Sequence, residues 1–225
     1  MLLLWIGLHP SLLLAQSLPD KVAFEKYGVA EGLPEEAAIH LIQDKQGFIW
    51  VTTQNGLVKF DGYKMQVFKN WQENDSTFKI RNLNGGLLLS RNGHLWVGGG
   101  RGGTGLFSFD PKTEKFTSYS IDFKDPTKAP YPNCFLLYED LSNHIWFNSM
   151  PNDDEDPFLC RLNPETGIVT RYPQTVNRGK NNDIVLNFNM AESPQDSSLW
   201  IREDKGNLLR FDRKKDSFEL GSYKR

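Results

Sequence analysis

Four tryptophans constrain the fold of this chain more than any other feature: Trp50, Trp96, Trp146 and Trp200 recur at separations of 46, 50 and 54 residues. Self-similarity at such a period marks a propeller or a solenoid, because each repeat is a unit that can bury its apolar face only against a neighbour. The fullest copy runs from Gln43 to Phe68, QDKQGFIWVTTQNGLVKFDGYKMQVF. Asp44 to Gly47 make a polar turn into the Phe48 to Thr53 strand. Asn55-Gly56 mark a hairpin before Leu57 to Phe60, and Asp61-Gly62 mark another before Lys64 to Phe68. With the mostly apolar run Ala38 to Gln43 ahead of the first turn, the unit is a four-stranded antiparallel meander.

The later copies keep the first turn and vary beyond it. Three residues before each Trp lies Gly47, Gly93, Asn143 or Ser197, all turn-competent, and six before lies Asp44, Ser90, Asp140 or Pro194. The Asp or Asn closing the third strand falls at Asp61, Asp110, Asn163 and Asp212, which is 11, 14, 17 and 12 residues beyond its Trp. Insertions therefore belong to the loop between the second and third strands, where repeat proteins commonly carry function.

An aromatic content of 12% with 19 Gly and 12 Pro favours short strands and tight turns over helices. Adjacent apolar residues within a strand (Ile49, Trp50, Val51; Leu57, Val58, Phe60) require a sheet buried on both faces, whereas a sandwich alternates and leaves one face polar. The expected fold is all-β: a β-propeller of four-stranded antiparallel blades at about residues 37–70, 84–120, 133–173 and 183–223, with each large Trp packed between blades. A solenoid is the alternative. Lys plus Arg number 26 against 28 Asp plus Glu, for a net charge of -2, so no general attraction draws the chain to nucleic acid or anionic lipid.

Residues 1–15 read as a signal peptide. The apolar run Leu2 to Ala15 is too short to span a bilayer, and Leu13 and Ala15 suit the -3 and -1 positions of a cleavage site, although no Lys or Arg follows Met1. Residues 16–36 supply a leading strand, Val22 to Tyr27, and a loop at Gly32-Leu33-Pro34. In propellers such a leading strand often completes the last blade, but the fourth repeat already has an outer strand of its own at Ser217 to Tyr223. The expectation is an open partial ring cut from a longer one, with an apolar face left exposed on the last blade and poor solubility in isolation.

The string Gly32-Leu33-Pro34, Asp44, Gly47, Phe48, Ile49, Trp50, Thr53, Asn55, Gly56, Leu57, Asp61, Gly62 closely resembles the two-component regulator propeller repeat. The second copy keeps Gly93, Leu95-Trp96, Gly98 and Phe109-Asp110, while the third and fourth keep Ile145-Trp146 and Leu199-Trp200. The resemblance implies the N-terminal periplasmic sensor region of a hybrid two-component system histidine kinase that responds to oligosaccharides, within a parent anchored in the inner membrane. It also implies a ring of seven blades. The partners it implies are an oligosaccharide or other small ligand, further propeller blades and kinase domains outside this chain, and a homodimer of the whole protein.

Chemistry-bearing motifs are sparse. Gly98 to Gly103 satisfy G-x-G-x-x-G, but a phosphate cradle needs a helix N-terminus after the glycines, and here both flanks are strands. His9 lies in the leader, His94 and His144 occupy equivalent turn positions, and no pair has metal-ligand spacing. Cys134 and Cys160 fall on the first and third strands of one blade, about 9 to 10 Å apart where a disulfide needs less than roughly 7 Å, so two free buried thiols are expected. The acidic loop Asn152 to Asp156 lacks the spacing of a calcium loop and reads as solvated. No catalytic, cofactor or metal residues are expected.

Three residues are candidates for ligand binding. Trp71, off the strand register, can stack on a sugar ring or cap the core. Arg101, at the tip of the Gly-rich hairpin, can reach an anionic sugar or stay solvated. His40, on an inner strand, can face the central channel or be a satisfied structural residue. The Asp44 to Gly47 turn has a longer spacing than the sialidase Asp-box, and no Arg triad, paired carboxylates or His-Glu dyad converge. The competing readings are a propeller enzyme of glycan or lactone lyase or hydrolase type, and a binding scaffold without signalling.

Overall fold

The computed structural model describes residues 23–69, 82–99, 105–119, 121, 133–150, 158–173, 189–202 and 208–220. They form an all-β molecule of four antiparallel four-stranded sheets, each a plain meander. Blade 1 holds β1 (His40–Gln43), β2 (Ile49–Thr53), β3 (Gly56–Phe60) and β4 (Met65–Phe68). Blade 2 holds β5 (Leu87–Leu89), β6 (Leu95–Gly98), β7 (Leu106–Asp110) and β8 (Lys115–Tyr119). Blade 3 holds β9 (Asn133–Glu139), β10 (Ile145–Met150), β11 (Phe158–Leu162) and β12 (Val169–Pro173). Blade 4 holds β13 (Asn189–Glu192), β14 (Leu199–Arg202), β15 (Leu208–Asp212) and β16 (Ser217–Leu220). The first strands neighbour one another in chain order, β1 beside β5, β5 beside β9 and β9 beside β13. The blades thus follow one another around a hub in an open, propeller-like arrangement, and among the described residues no strand joins blade 1 to blade 4.

Each of the first three repeat tryptophans packs forward onto the next blade, as expected. Trp50 and Phe68 meet Leu95, Val97, Phe107 and Phe109. Trp96 and Leu106 meet Ile145, Phe147 and Leu162, while Trp146 and Leu159 meet Leu199, Ile201 and Phe211. Truncating a buried aromatic of this kind to Ala typically costs about 3–5 kcal/mol, so these joints supply much of the stability of the fold. Two-sided burial explains the unbroken apolar strands: all of β6 and most of β7 are buried.

Every turn before a Trp carries a left-handed residue, and in blades 1 and 3 an aspartate clamps it as well. Gly47, Gly93, Asn143 and Ser197 have φ of 92°, 90°, 63° and 53°, the left-handed conformation that a turn-competent residue must supply. Asp44 Oδ1 accepts from the N–H groups of Gln46 (2.9 Å) and Phe48 (3.0 Å), while Oδ2 accepts from Trp50 Nε1 (2.8 Å). Asp140 repeats the pattern with Ser142, His144 and Trp146 Nε1 at 2.9, 2.9 and 3.0 Å. The carboxylate six residues before a Trp therefore fastens the turn to the indole. Blade 2 has Ser90 there, and the buried Trp96 Nε1 finds no acceptor among the described residues.

The residues closing the third strands act the same way in every blade. Asp61, Asp110, Asn163 and Asp212 each accept backbone N–H groups from the residues that follow, at 2.7–3.3 Å. Those donors, led by Lys64, Lys112 and Lys215, hold the carboxyls of Asp61, Asp110 and Asp212 below the usual range.

Two glycines of blade 2 permit close approach to blade 3. A Cβ on Gly85 or Gly98 would lie 1.9 or 2.2 Å from the Cys134 carbonyl oxygen. Leu136 N–H instead donates to Gly85 O at 2.7 Å and Cys134 N–H to Gly99 O at 2.8 Å, joining the two hubs through backbone. Gly98 is thus explained by packing, while residues 100–104 of the Gly-rich run lie outside the described residues, as do residues 152–156. Neither Cys134 nor Cys160 is in a disulfide; both are buried, on strands either side of β10, and burial pushes both thiols up, Cys160 to about 12.

The leading strand requires correction. Residues 23–28 form no strand, and Phe24 is 91% exposed. Strand formation needs backbone partners, and residues 23–28 enter no ladder with the described strands. Tyr27 touches the blade, with its ring 4.8 Å from that of Phe60. The Gly32 loop is a turn as expected: a single 3-10 turn, Val29–Glu31, ends on Gly32 at φ 112°.

Candidate functional site

Sheet register makes the blades comparable residue by residue. The last residue of each first strand pairs with the residue before the Trp: Gln43 with Ile49, Leu89 with Leu95, Glu139 with Ile145, Glu192 with Leu199. The third-strand residue opposite the Trp is Lys59, Ser108, Arg161 or Arg210.

At the two later joints the first of these positions is acidic and reaches back to the preceding blade. Glu139 accepts from Ser90 Oγ (2.5 Å) and the Arg91 N–H (2.9 Å). Glu192 accepts from the Leu141 N–H (2.6 Å), and Leu141 stands in its turn where Arg91 stands in blade 2. Cations add to both. Arg91 donates forward to the Asp140 carbonyl and to Asn143 Oδ1 (3.0 Å), while Arg213 binds Glu192 and, at 3.3 Å, Asp140 Oδ2. Burial alone would raise the pKa of Asp140, but hydrogen bonds from Trp146 and His144 and the charges of His144 and Arg213 outweigh it and bring the carboxyl below its ordinary value. At the outer rim of joint 3–4, Arg161 pairs with Asp216 at 2.7 Å, and Tyr172 Oη donates to the same carboxylate at 2.7 Å.

Joint 1–2 has neither device. Leu89 occupies the back-reaching position and cannot accept from the blade 1 turn. Lys59, the counterpart of Arg161, has no ion-pair partner among the described residues. Its ammonium sits 3.7 Å above the centre of the Phe48 ring and 5.5 Å from that of Trp50. The counterpart of Asp216 is Glu114, which accepts instead from Gln66 Nε2 at 3.3 Å. Between the turns of the two blades lies a groove of about 510 Å³, within the roughly 300–1,000 Å³ range of small-molecule sites. Phe48, Leu89 and Pro111 give it apolar wall, and Lys45, Lys59, Arg91 and Lys112 give it cations. Its carboxylates, Asp44 and Asp110, are already occupied by turn and indole donors.

Of the residues expected to bind ligand, Trp71 and Arg101 lie outside the described residues. His40 is exposed at the end of β1 remote from the groove. Its N–H donates to Thr52 Oγ1 at 3.2 Å, and its ring Nε2 lies 3.4 Å from the Asn84 carbonyl at the approach to blade 2. The structure therefore does not bring His40 to the groove. Lys59 and Leu89 were missed by sequence reasoning. The signal that could have found them is a comparison across repeats of the residue ending each first strand and the one opposite each Trp. Among the described residues no three His, Cys, Asp or Glu side chains gather as a metal site, and no helix is long and apolar enough to cross a membrane.

No protein-family model matches the chain. Histidine kinase P4 of Formosa agariphila is 41% identical over 54 residues, 24% of this chain and 4% of that protein. Among solved structures, an extracellular domain assigned to a hybrid two component system of B. thetaiotaomicron is 18% identical, with a TM-score of 0.45 over 87% of this chain and 31% of that one. An auxiliary nutrient binding protein from Bacteroides thetaiotaomicron is 13% identical, with a TM-score of 0.48 over 81% of this chain and 40% of that one. The chain thus spans less than half the length of each of these three proteins.

Proposed function

We propose that this chain is a ligand-binding propeller segment of a periplasmic sensor, that the groove between blades 1 and 2 is its site, and that its ligand is an oligosaccharide. The observation that carries the reading is the contrast among joints: two are braced by charged side chains, and the third opens into a groove of about 510 Å³ whose apolar and polar walls come from two different blades. The likeness of 54 residues to a histidine kinase supports placement in a longer signalling protein, anchored in the inner membrane. A ligand lying across blades 1 and 2 contacts both at once, so its affinity depends on how they sit together. It shifts signalling output only to the extent that it prefers one arrangement over another. Binding without turnover is the favoured activity, because both groove carboxylates are committed to structural donors.

The test is calorimetric titration of the chain and of Leu89→Glu with a panel of oligosaccharides. The substitution supplies the back-reaching carboxylate of blades 3 and 4. It is expected to abolish binding while far-UV circular dichroism stays unchanged. Undiminished binding by Leu89→Glu would remove the groove as the site.

A further inference from the structure

Lys59 differs from its register counterpart in one respect that bears on the ligand. Arg161, opposite Trp146, meets the carboxylate of Asp216 from the next blade at 2.7 Å. Lys59, opposite Trp50, is half-buried over Phe48 and meets no carboxylate among the described residues. A cation held partly out of water favours an anionic partner, because the field it projects is less screened than that of a solvated lysine. The groove around it is locally positive: Lys45, Lys59 and Lys112 face Asp44 and Asp110, while Arg91, also on its wall, is engaged toward blade 3, in a chain whose net charge is -2.

We infer that the groove between blades 1 and 2 takes an anionic saccharide, its carboxylate or sulfate seated by Lys59 and Lys112 and a ring face against Phe48, Leu89 and Pro111. The inference rests on the oligosaccharide reading above and narrows it to a charge class. Lys59 fills the role toward ligand that Arg161 fills toward Asp216. The ammonium is positioned over an aromatic ring, so little conformational freedom remains to be lost when the anion arrives. Lys112 lies on the blade 2 wall and Lys59 on the blade 1 wall, so a single anionic group or two neighbouring ones engages both blades.

The experiment is calorimetry on the purified chain at low ionic strength with three probes of equal length: tetragalacturonate, a sulfated chondroitin tetrasaccharide and neutral maltotetraose. At least one anionic probe is expected to bind, and which one does so separates carboxylate from sulfate recognition. Lys59→Met, which keeps the stem on Phe48, and the exposed Lys112→Ala are each expected to weaken that binding about tenfold. Raising salt to about 300 mM weakens it further in the wild type. Maltotetraose binding as well as the anions do overturns the charge inference and leaves the oligosaccharide reading standing. Failure of all three probes overturns both. Anion binding unchanged in Lys112→Ala and Lys59→Met, with melting curves intact, overturns the placement at this groove.

Discussion

Joints 1–2 and 3–4 are built on the same apolar plan and differ at their polar edge. In the first, Trp50 and Phe68 lie with their ring centroids 5.5 and 4.8 Å from that of Phe109. In the second, Trp146 and Tyr172 lie 5.0 and 5.7 Å from Phe211. The rim residues separate them: Glu192, Arg213, Arg161 and Asp216 in one, Leu89 and Lys59, which has no ion-pair partner among the described residues, in the other. The apolar seam does most to seat the blade at joint 1–2, where the described residues show no ion pair and the rim carries a single Gln66–Glu114 hydrogen bond. On the proposed function, polar rim residues left out of such bracing are the ones available to a ligand.

The largest effect that would sharpen this comparison lies at Asp140. Its side chain is fully buried and serves a turn, an indole and a cation from the next blade. Asp140→Ala is expected to destabilise by about 3–5 kcal/mol because it strands those partners. Asp44→Ala, which removes a turn clamp with no cation from another blade, should cost only about 1–2 kcal/mol. Equal losses in urea denaturation would break the distinction between the joints. At joint 2–3, Gly98→Ala should cost about 1–3 kcal/mol by forcing β6 away from the Cys134 carbonyl.

Acid should act on the braced joints. Asp140 has a folded pKa below its unfolded value, so its contribution is complete above the ordinary carboxylate range, near about pH 4, and is lost as pH falls through the folded value. The urea midpoint of the wild type should therefore fall more steeply below about pH 4 than that of Asp140→Asn. Parallel profiles would show that Asp140 carries no such linkage. The smallest effect is a gain. Ser90→Asn offers the orphaned Trp96 Nε1 an acceptor while its amide can still donate to Glu139, and should stabilise by about 1 kcal/mol. A loss would mean that the Asp44 geometry is not available to blade 2.

Much of this fold is legible in the sequence, for identifiable reasons. The Trp spacing reports blades because the indoles of Trp50, Trp96 and Trp146 each meet the next sheet, and Gly47, Gly93, Asn143 and Ser197 report turns because their backbone must be left-handed. Asp44 and Asp140 before their Trp strands, and Asp61, Asp110, Asn163 and Asp212 closing the third strands, are visible for the same local reason: they bind N–H groups a few residues away. Val22 to Tyr27 misled because its composition suits a strand, while strand formation depends on a neighbouring edge that composition cannot reveal. Lys59 and Leu89 were illegible singly. A lysine opposite a Trp and a leucine ending a strand are ordinary, and they acquire meaning only when register sets them beside Arg161 and Glu192.

The central claim, that joint 1–2 is open where the later joints are braced, is tested most directly by site-resolved amide hydrogen exchange at three equivalent turn residues, Lys45, Arg91 and Leu141. The N–H groups of Arg91 and Leu141 are held by Glu139 and Glu192, so both should exchange slowly, and Lys45 should exchange faster by about ten- to a hundredfold. Protection of Lys45 equal to that of the other two would contradict the account.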